Sequence, residues 1–318
     1  QIKLFTNFLK IIIMKKLLLA VAVLFATSMF AQFDQIQQAE CDDCDFKKKT
    51  ADLKFMPHNL SEIDQIGINN QANVYQTGIG NVSSIDQDGK NVGIGGLDNR
   101  AMVYQKGVHN NSDIKQHGDR NWGRVIQIGK LNYAKQDVGV GYAEDNKAFV
   151  FQMGKRNTSF QKQRFDNNKA FVSQLGRDNY AEQDQRSKRD GVAGSYAGII
   201  QIGIENSAKQ VQRGSNNVAG IFQWGYLNSA KQVQKSAAGA PFMANLSLIA
   251  QFGHGNEYCL SQESEIGAWN ASFASQFGYM NKAHVTQYAM VKGNVSKIYQ
   301  KGMNNEACVD QTSTYLRP

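Results

Sequence analysis

Polar and hydrophobic positions alternate with a period of two along most of the chain after residue 59. In one such stretch, Asn146 is followed at every second position by Ala148, Val150 and Gln152. Successive side chains of a β-strand point to opposite faces, so this pattern predicts strands that bury an amide, a small residue, an aliphatic residue and a second amide on one face. The chain is therefore expected to be all-β.

A fixed glutamine–asparagine–glutamine spacing repeats through the same region. The pattern Q-x(4)-N-x(5)-Q begins at 13 positions, and glutamines 11 residues apart pair into ten units, numbered here 1 to 10 in chain order. Self-similarity at a fixed spacing predicts a β-solenoid of about ten stacked strand-turn-strand rungs, a cross-β arrangement. The pairs are Gln76 and Gln87, Gln105 and Gln116, Gln127 with Val138 in place of the second glutamine, Gln152 and Gln163, Gln174 and Gln185, Gln201 and Gln212, Gln223 and Gln234, Gln251 and Gln262, Gln276 and Gln287, and Gln300 and Gln311.

Each unit contains one invariant turn signal, Q-x-G-x-x-N, between its two strands, which we call the internal turn. A tight reversal often demands positive φ, which glycine adopts freely, and asparagine tolerates the left-handed region or caps the turn with its side chain. The connecting turn, from one unit to the next, varies from 11 to 18 residues between glutamines and is expected to tolerate insertion. The turn glycines are Gly78, Gly107, Gly129, Gly154, Gly176, Gly203, Gly225, Gly253, Gly278 and Gly302. The asparagines are Asn81, Asn110, Asn132, Asn157, Asn179, Asn206, Asn228, Asn256, Asn281 and Asn305.

The composition supports a core built from amides. The chain has 31 Gln and 28 Asn among 318 residues, more than an ordinary core accommodates. Identical amides stacked about 4.8 Å apart donate and accept along the stack, which offsets the cost of burying them. Units 3 to 7 add a second glutamine two residues before the end of the motif. These are Gln136, Gln161, Gln183, Gln210 and Gln232.

The net charge of +8 gives no indication of nucleic-acid binding. Four lysines (Lys3, Lys10, Lys15 and Lys16) precede Gln32 with no acidic residue among them, so the remainder carries 8 − 4 = +4. This excess is spread along the chain without a run of five like charges, as on a solvated surface.

Residues 1–31 are interpreted as upstream residues plus a secretory signal peptide that starts at Met14. Two lysines precede an apolar run that ends in small residues at Ala31. The 15 residues from Leu17 to Ala31 are few for a transmembrane helix. We therefore predict export, with cleavage after Ala31 and an extracellular, cell-surface location.

Residues 32–58 are interpreted as a leader or targeting segment, and residues 59–318 as the repeat solenoid. The leader contains Cys41 and Cys44, for which a local disulfide or free thiols are favoured over half a metal site, because no second pair complements them.

The outward positions differ between the two strands of a unit. First strands carry aromatic residues such as Phe149, Phe151 and Phe171, whereas second strands carry charges such as Asp137 and Lys162. One explanation is that these aromatic residues are present only because they favour β-strands. A hydrophobic strip of this extent nevertheless favours coverage by a partner or a sister filament.

No recognisable motif indicates catalysis, a cofactor or a metal, so we predict that the protein is not an enzyme. The enzyme alternative, a polysaccharide-cleaving β-helix, would use the acids that align on one face, such as Asp86 and Asp184, but a solvated sheet explains them. Cys259 and Cys308 share one outward position two units apart, about 9 to 10 Å, which is too far for an intramolecular disulfide. We expect them to be free or to link neighbouring filaments.

The repeat resembles that of the curlin family, the amyloid subunits of bacterial curli fibres, whose repeats follow S-x(5)-Q-x(4)-N-x(5)-Q. The similarity covers about residues 59–313. The leading serine of the family is usually asparagine here, as in Asn70 and Asn99, with Ser195 as the exception. Ten units also exceed the number in the enterobacterial curlin.

The resemblance implies a secreted structural subunit that polymerises end to end into extracellular amyloid fibres for biofilm matrix and adhesion. The ladder amides and turn glycines would carry this role. Implied partners are further copies of the chain, a nucleator or second curlin subunit, and an outer-membrane curli-type secretion pore. The alternatives are a nucleator that templates a partner curlin, and an adhesive solenoid that binds host protein or glycan.

The last unit supports polymerisation on physical grounds. Solenoids that stay monomeric usually cap their terminal rungs. Unit 10 keeps the inward pattern Asn305, Ala307, Val309 and Gln311, with seven residues after it. We therefore expect its edge to be open for strand addition.

Overall fold

A computed structural model describes residues 58–88, 96–140, 143–187, 193–237 and 244–314. The signal peptide, Cys41, Cys44 and nearly all of the predicted leader lie outside these residues. In the described residues the chain forms 22 β-strands and no helix. In these residues there is no helix that is long enough and apolar enough to cross a membrane.

The strands form two parallel sheets that alternate along the chain. The ten-stranded sheet, here the first-strand sheet, contains β2 (Gln71–Ile79), β5 (Arg100–Val108), β7 (Trp122–Lys130), β9 (Lys147–Lys155), β11 (Lys169–Arg177), β13 (Tyr196–Ile204), β15 (Asn217–Tyr226), β17 (Asn245–His254), β19 (Asn270–Tyr279) and β21 (Asn294–Met303), in that order. The 12-stranded sheet, here the second-strand sheet, contains β1 (Leu60–Ile68), β3 (Val82–Asp88), β4 (Gly96–Leu97), β6 (Asn111–His117), β8 (Tyr133–Val140), β10 (Thr158–Arg164), β12 (Tyr180–Arg186), β14 (Ser207–Arg213), β16 (Ser229–Ser236), β18 (Glu257–Ser264), β20 (Lys282–Ala289) and β22 (Glu306–Ser313).

Each unit lies on the next in register, which confirms the predicted parallel β-solenoid. Along the contact of β9 with β11, Gln152 pairs with Gln174 and Gly154 with Gly176. Ten first strands in series give about nine turns of the coil. Strands that follow connecting turns of different length keep this register, as Gln201 does with Gln223 and Gln223 with Gln251.

The core lies between the two sheets and follows the predicted alternation. Along β9, Ala148, Val150 and Gln152 are fully buried. Burial of the small and aliphatic columns supplies the hydrophobic stabilisation. Unit 8 departs from the pattern, because Tyr258 occupies the small position and donates to or accepts from the Ser272 hydroxyl at 2.9 Å.

Two irregularities interrupt the stack. The pairing of β8 with β10 shifts register after Gln163, beside Gly139 with φ 83°. The second-strand sheet also begins with β1, a half unit that pairs with β3 and, at Gly67 and Ile68, with the short β4.

Candidate functional site

The first-strand glutamines form one continuous amide ladder. In each step the Nε2 of one glutamine donates to the Oε1 of the next unit's glutamine, at 2.7–2.9 Å. The members are Gln76, Gln105, Gln127, Gln152, Gln174, Gln201, Gln223, Gln251, Gln276 and Gln300. Every Nε2 also donates to a backbone carbonyl, as Gln152 does to Tyr133 at 2.9 Å. The buried amides are therefore satisfied along the axis and across the core.

The second-strand glutamines form a ladder with one interruption. Gln65 donates to Gln87 and Gln87 to Gln116, and the ladder resumes at Gln163. Val138 stands between the two parts, so the buried Oε1 of Gln163 has no hydrogen-bond partner among the described residues. The later members are Gln163, Gln185, Gln212, Gln234, Gln262, Gln287 and Gln311.

The additional glutamines of units 3 to 7 also stack as predicted. Gln136 donates to Gln161 at 2.9 Å, and the row continues in the same direction through Gln183 and Gln210 to Gln232. Gln232 ends the row by donating to the Ser247 hydroxyl at 2.8 Å.

The internal-turn asparagines form a ladder of the opposite polarity. Both the backbone N–H and the Nδ2 of each asparagine donate to the Oδ1 of the preceding unit's asparagine, as Asn157 does to Asn132 at 3.1 Å. Nδ2 also donates forward, from Asn157 to the Gly176 carbonyl at 3.0 Å. The ladder starts at Asn59 and continues through Asn81, Asn110, Asn132, Asn157, Asn179, Asn206, Asn228, Asn256, Asn281 and Asn305.

The turn glycines are required by close approach as well as by conformation. Gly154 has φ 124°, and a Cβ there would lie 1.8 Å from the Gly176 carbonyl oxygen. The asparagine was expected to adopt the left-handed region or to cap the turn, and it caps: Asn81 Nδ2 donates to the Thr77 carbonyl at 3.2 Å. The left-handed residue is instead the one before it, such as Arg156 with φ 55°.

A second asparagine ladder at the connecting turns was not among the predicted site residues. The sequence did contain a signal for it, because nine units have an asparagine at the same inward position. Its bonds run from later to earlier units, but several steps use only the backbone N–H, as from Asn168 to Asn146 at 2.9 Å. The members are Asn70, Asn99, Asn121, Asn146, Asn168, Ser195, Asn217, Asn245, Asn270 and Asn294.

Charges on the outer face of the second-strand sheet pair between neighbouring units. Lys135 lies 3.2 Å from Asp113, and Lys209 lies 2.8 Å from Glu182. The hydrogen bond that Lys135 donates to the Asp113 carboxylate raises the pKa of Lys135. At the internal turns, the hydrogen bond from Arg156 lowers the pKa of Asp178. These exposed pairs favour the native register by modest amounts.

The outward aromatic positions of the first strands are less uniformly exposed than the sequence suggested. Phe149 and Phe151 are buried, at 6% and 5% exposure. The Phe149 ring stacks between the rings of Trp122 and Phe171, 6.4 and 5.5 Å away. The exposed rings lie elsewhere, and they include Trp224 at 56%.

The described residues contain no group of three or more histidine, cysteine or acidic side chains that could hold a metal ion. Cys259 and Cys308 are free. His284 lies between them in the same column, which confirms their predicted separation by two units. Burial in the core raises the pKa of Tyr258 to about 12.

The C-terminal end of the stack is open among the described residues. β21 and β22 are edge strands, and no described strand pairs with their outer sides. Gln300 and Gln311 donate only to backbone carbonyls, at 2.8 and 3.0 Å, so the donation that each interior glutamine makes to the next unit has no described acceptor. The Oδ1 of Asn305 likewise accepts no described donor, unlike that of Asn281.

The N-terminal end presents the complementary set of groups. Gln65 and Gln76 donate into the stack, but no described donor reaches their Oε1 atoms. Asn59 accepts from Asn81, while its own Nδ2 has no described acceptor. The aliphatic column is open as well, because Ile63 is 44% exposed.

No protein-family model matches this chain, and no curated protein matches it either. The chain is a parallel β-solenoid with stacked, buried asparagine and glutamine ladders, and its described ends are open and of opposite hydrogen-bonding polarity.

Proposed function

We propose that the protein is a structural subunit that polymerises end to end into extracellular amyloid-type fibres, the role that the curlin resemblance implies. The observation that carries the proposal is the complementarity of the two ends. One end offers glutamine donors and asparagine acceptors, and the other offers glutamine acceptors and asparagine donors.

This polarity favours head-to-tail addition over the other arrangements. When β22 of one chain meets β1 of another, the second-strand glutamine ladder (Gln311 to Gln65) and the internal asparagine ladder (Asn59 to Asn305) continue with the donor direction they have inside the subunit. Two C-terminal ends would instead oppose glutamine donors to donors, and two N-terminal ends would oppose acceptors to acceptors. Buried amides without partners cost free energy, so the like-end arrangements are disfavoured.

Backbone and apolar groups support the same arrangement. The outer sides of β21 and β22 carry strand N–H and C=O groups that a further parallel strand would satisfy. Ile63, at the open N-terminal end, belongs to the column of Ile85 and Ile114, which are buried inside the stack. Covering the end would bury this column as it is buried elsewhere.

The proposal extends to location and export. A signal-peptide pattern begins at Met14, and the repeat follows it. We therefore assign the polymer to the cell surface, with export through an outer-membrane pore and with further copies of the chain as its principal partner.

The proposal is tested by assembly of residues 32–318, diluted from denaturant and followed by thioflavin fluorescence, electron microscopy and fibre diffraction. We expect a lag phase, then fibres with a meridional reflection near about 4.7–4.8 Å. A soluble monomer that melts cooperatively and never extends seeds would contradict the proposal.

A pair of variants tests the C-terminal end itself. Val309→Lys with Gln311→Lys places charges on the inward side of β22, where a junction would bury them without partners, so we expect seeded growth to slow about tenfold or more. Cys308→Lys with Thr312→Lys adds the same two charges on the exposed side of the same strand and should leave growth within about twofold. Equal effects of the two pairs would exclude this end as a junction.

A further inference from the structure

The outer side of the first-strand sheet changes character along the stack. In β13, β15, β17 and β19, five alternate positions of each strand face outward, and none of these residues is Asp, Glu, Lys or Arg. We call this surface, in units 6 to 9, the apolar face. Its residues are Tyr196, Gly198, Ile200, Ile202, Ile204, Val218, Gly220, Phe222, Trp224, Tyr226, Leu246, Leu248, Ala250, Phe252, His254, Ala271, Phe273, Ser275, Phe277 and Tyr279.

The apolar face exposes large aromatic side chains in an ordered arrangement. Trp224 and Tyr279 are 56% and 52% exposed. Rings of successive units stack on one another, with Phe252 and Phe277 4.7 Å apart and 2° from parallel. An ordered, exposed hydrophobic surface of this kind marks an interaction site.

Charged residues border the apolar face on both sides along the axis. Unit 5 carries Lys169 and Arg177 at outward positions of β11, and unit 10 carries Lys297 and Lys301 at outward positions of β21. These borders have the same sign, so they limit the apolar surface to four units.

The opposite side of the same four units is polar. The outward positions of the second strands there include Lys209, Lys231, Glu257 and Lys282. Units 6 to 9 thus have one apolar and one charged outer side. No other surface of the described chain covers the apolar side.

We propose that the apolar face pairs with the same face of a second copy of this chain in a neighbouring fibre. The inference rests on the proposed function, because it requires fibres. The face carries both projections and a recess: Trp224 projects, while Ala250 and Ser275 lie between the larger Phe222 and Tyr299 of the same column. A surface with both can interdigitate with a copy of itself, as sheets do in a dry zipper.

The size of the face explains why the pairing belongs to fibres. Four units at about 4.8 Å and a nine-residue strand at about 3.3 Å per residue give a footprint of roughly 570 Å². A stable interface buries about 800 Å² on each partner, so one pair of chains would associate weakly. In a fibre the face recurs once per subunit, which with the half unit β1 is eleven levels or about 53 Å, and many weak contacts act together.

The test compares two variants in assembled material. Trp224→Lys with Tyr279→Lys places two cations on the apolar face, at exposed positions where no lysine is adjacent in the stack. Met153→Lys with Tyr180→Lys is the matched control, because these side chains are 42% and 37% exposed and lie outside the face. Mass per length is measured by scanning transmission electron microscopy, together with seeded growth rate.

We expect two chains per about 53 Å for the wild type and the control, and one chain for Trp224→Lys with Tyr279→Lys, with growth rates within about twofold of each other. Added salt should favour pairing, because it screens repulsion between the cationic borders. Wild-type fibres with one chain per repeat, or a face variant that keeps two, would overturn the inference while leaving the proposed function intact. If the wild type forms no fibres, the proposed function fails, and sedimentation that shows only monomer overturns the pairing as well.

Discussion

The internal and connecting turns of this solenoid are built from similar ladders but tolerate change very differently. Ten glutamines before the internal turns stack without interruption, whereas the glutamines before the connecting turns are interrupted at Val138. The internal asparagine ladder is complete, whereas the connecting ladder contains Ser195.

The difference follows from how each turn bonds to its neighbours. At an internal turn, each asparagine bonds to the units on both sides, and each glycine backbone lies against the next glycine. An inserted residue would displace all of these contacts at once. At a connecting turn, Asn168 Nδ2 bonds to Arg164 and Phe165 of its own turn and to Ser187 of the next unit. Internal asparagines also donate to their own turn, but each donates its Nδ2 to the preceding asparagine as well, which Asn168 does not. Fewer side-chain bonds therefore join this connecting turn to the preceding unit, which leaves room for length variation.

The largest expected effect separates glycines of the two turns. Gly154→Ala should cost about 3 kcal/mol or more, because its Cβ would lie 1.8 Å from the Gly176 oxygen at φ 124°. Gly267→Ala, in a connecting turn with φ 80° and no atom near its Cβ, should cost about 1–2 kcal/mol through the backbone alone. Guanidinium unfolding of freshly diluted, unassembled chain measures both. Gly198→Ala, whose Cβ meets nothing closer than 4.0 Å, is the neutral control. Similar losses at Gly154 and Gly267 would remove the distinction between the turns.

A smaller difference is expected between the asparagines. Asn157→Ser should cost about 3 kcal/mol, because it removes bonds to Asn132, Gly176 and Asn179. Asn168→Ser should cost within about 1 kcal/mol, because Ser195 fills the equivalent position of the next unit and donates to the Gly214 carbonyl at 3.1 Å. Guanidinium unfolding of the two variants measures both losses of stability. A larger loss for Asn168→Ser than for Asn157→Ser would contradict this account.

The smallest expected effect is the stabilisation gained by completing the glutamine ladder that Val138 interrupts. Val138→Gln should supply a donor to the unpartnered Oε1 of Gln163 and an acceptor for Gln116, and so stabilise the chain by about 1 kcal/mol. Val211→Gln, at an outward position of β14, should change stability by less than about 0.5 kcal/mol. A loss of stability at Val138→Gln would contradict this account.

Much of the site was predictable because a ladder is a repeated local rule. Once Gln152 and Gln174 occupy the same position of successive units, parallel stacking brings them together whatever the connecting turn does. The exposure of the outer aromatics was not predictable in the same way. Phe149 and Trp224 both occupy outward positions of first strands, yet one is buried and the other 56% exposed, because exposure depends on what surrounds each ring. The left-handed residue of the turn carried no uniform signal, because Gly80 and Asn304 favour positive φ whereas Arg156 at the same position does not.

The sequence by itself determined the register, since the fixed spacing of glutamine, glycine and asparagine admits one way to align all units. It also determined the fold class, because period-two alternation with tight turns and no room for helices leaves only stacked strands. Only the tertiary structure decided the direction of the ladders. An amide side chain can donate toward either neighbour, and the choice depends on which backbone carbonyls lie across the core, as Tyr133 does beside Gln152. That direction gives the two described ends their opposite polarity. The polarity cannot be read from one unit alone.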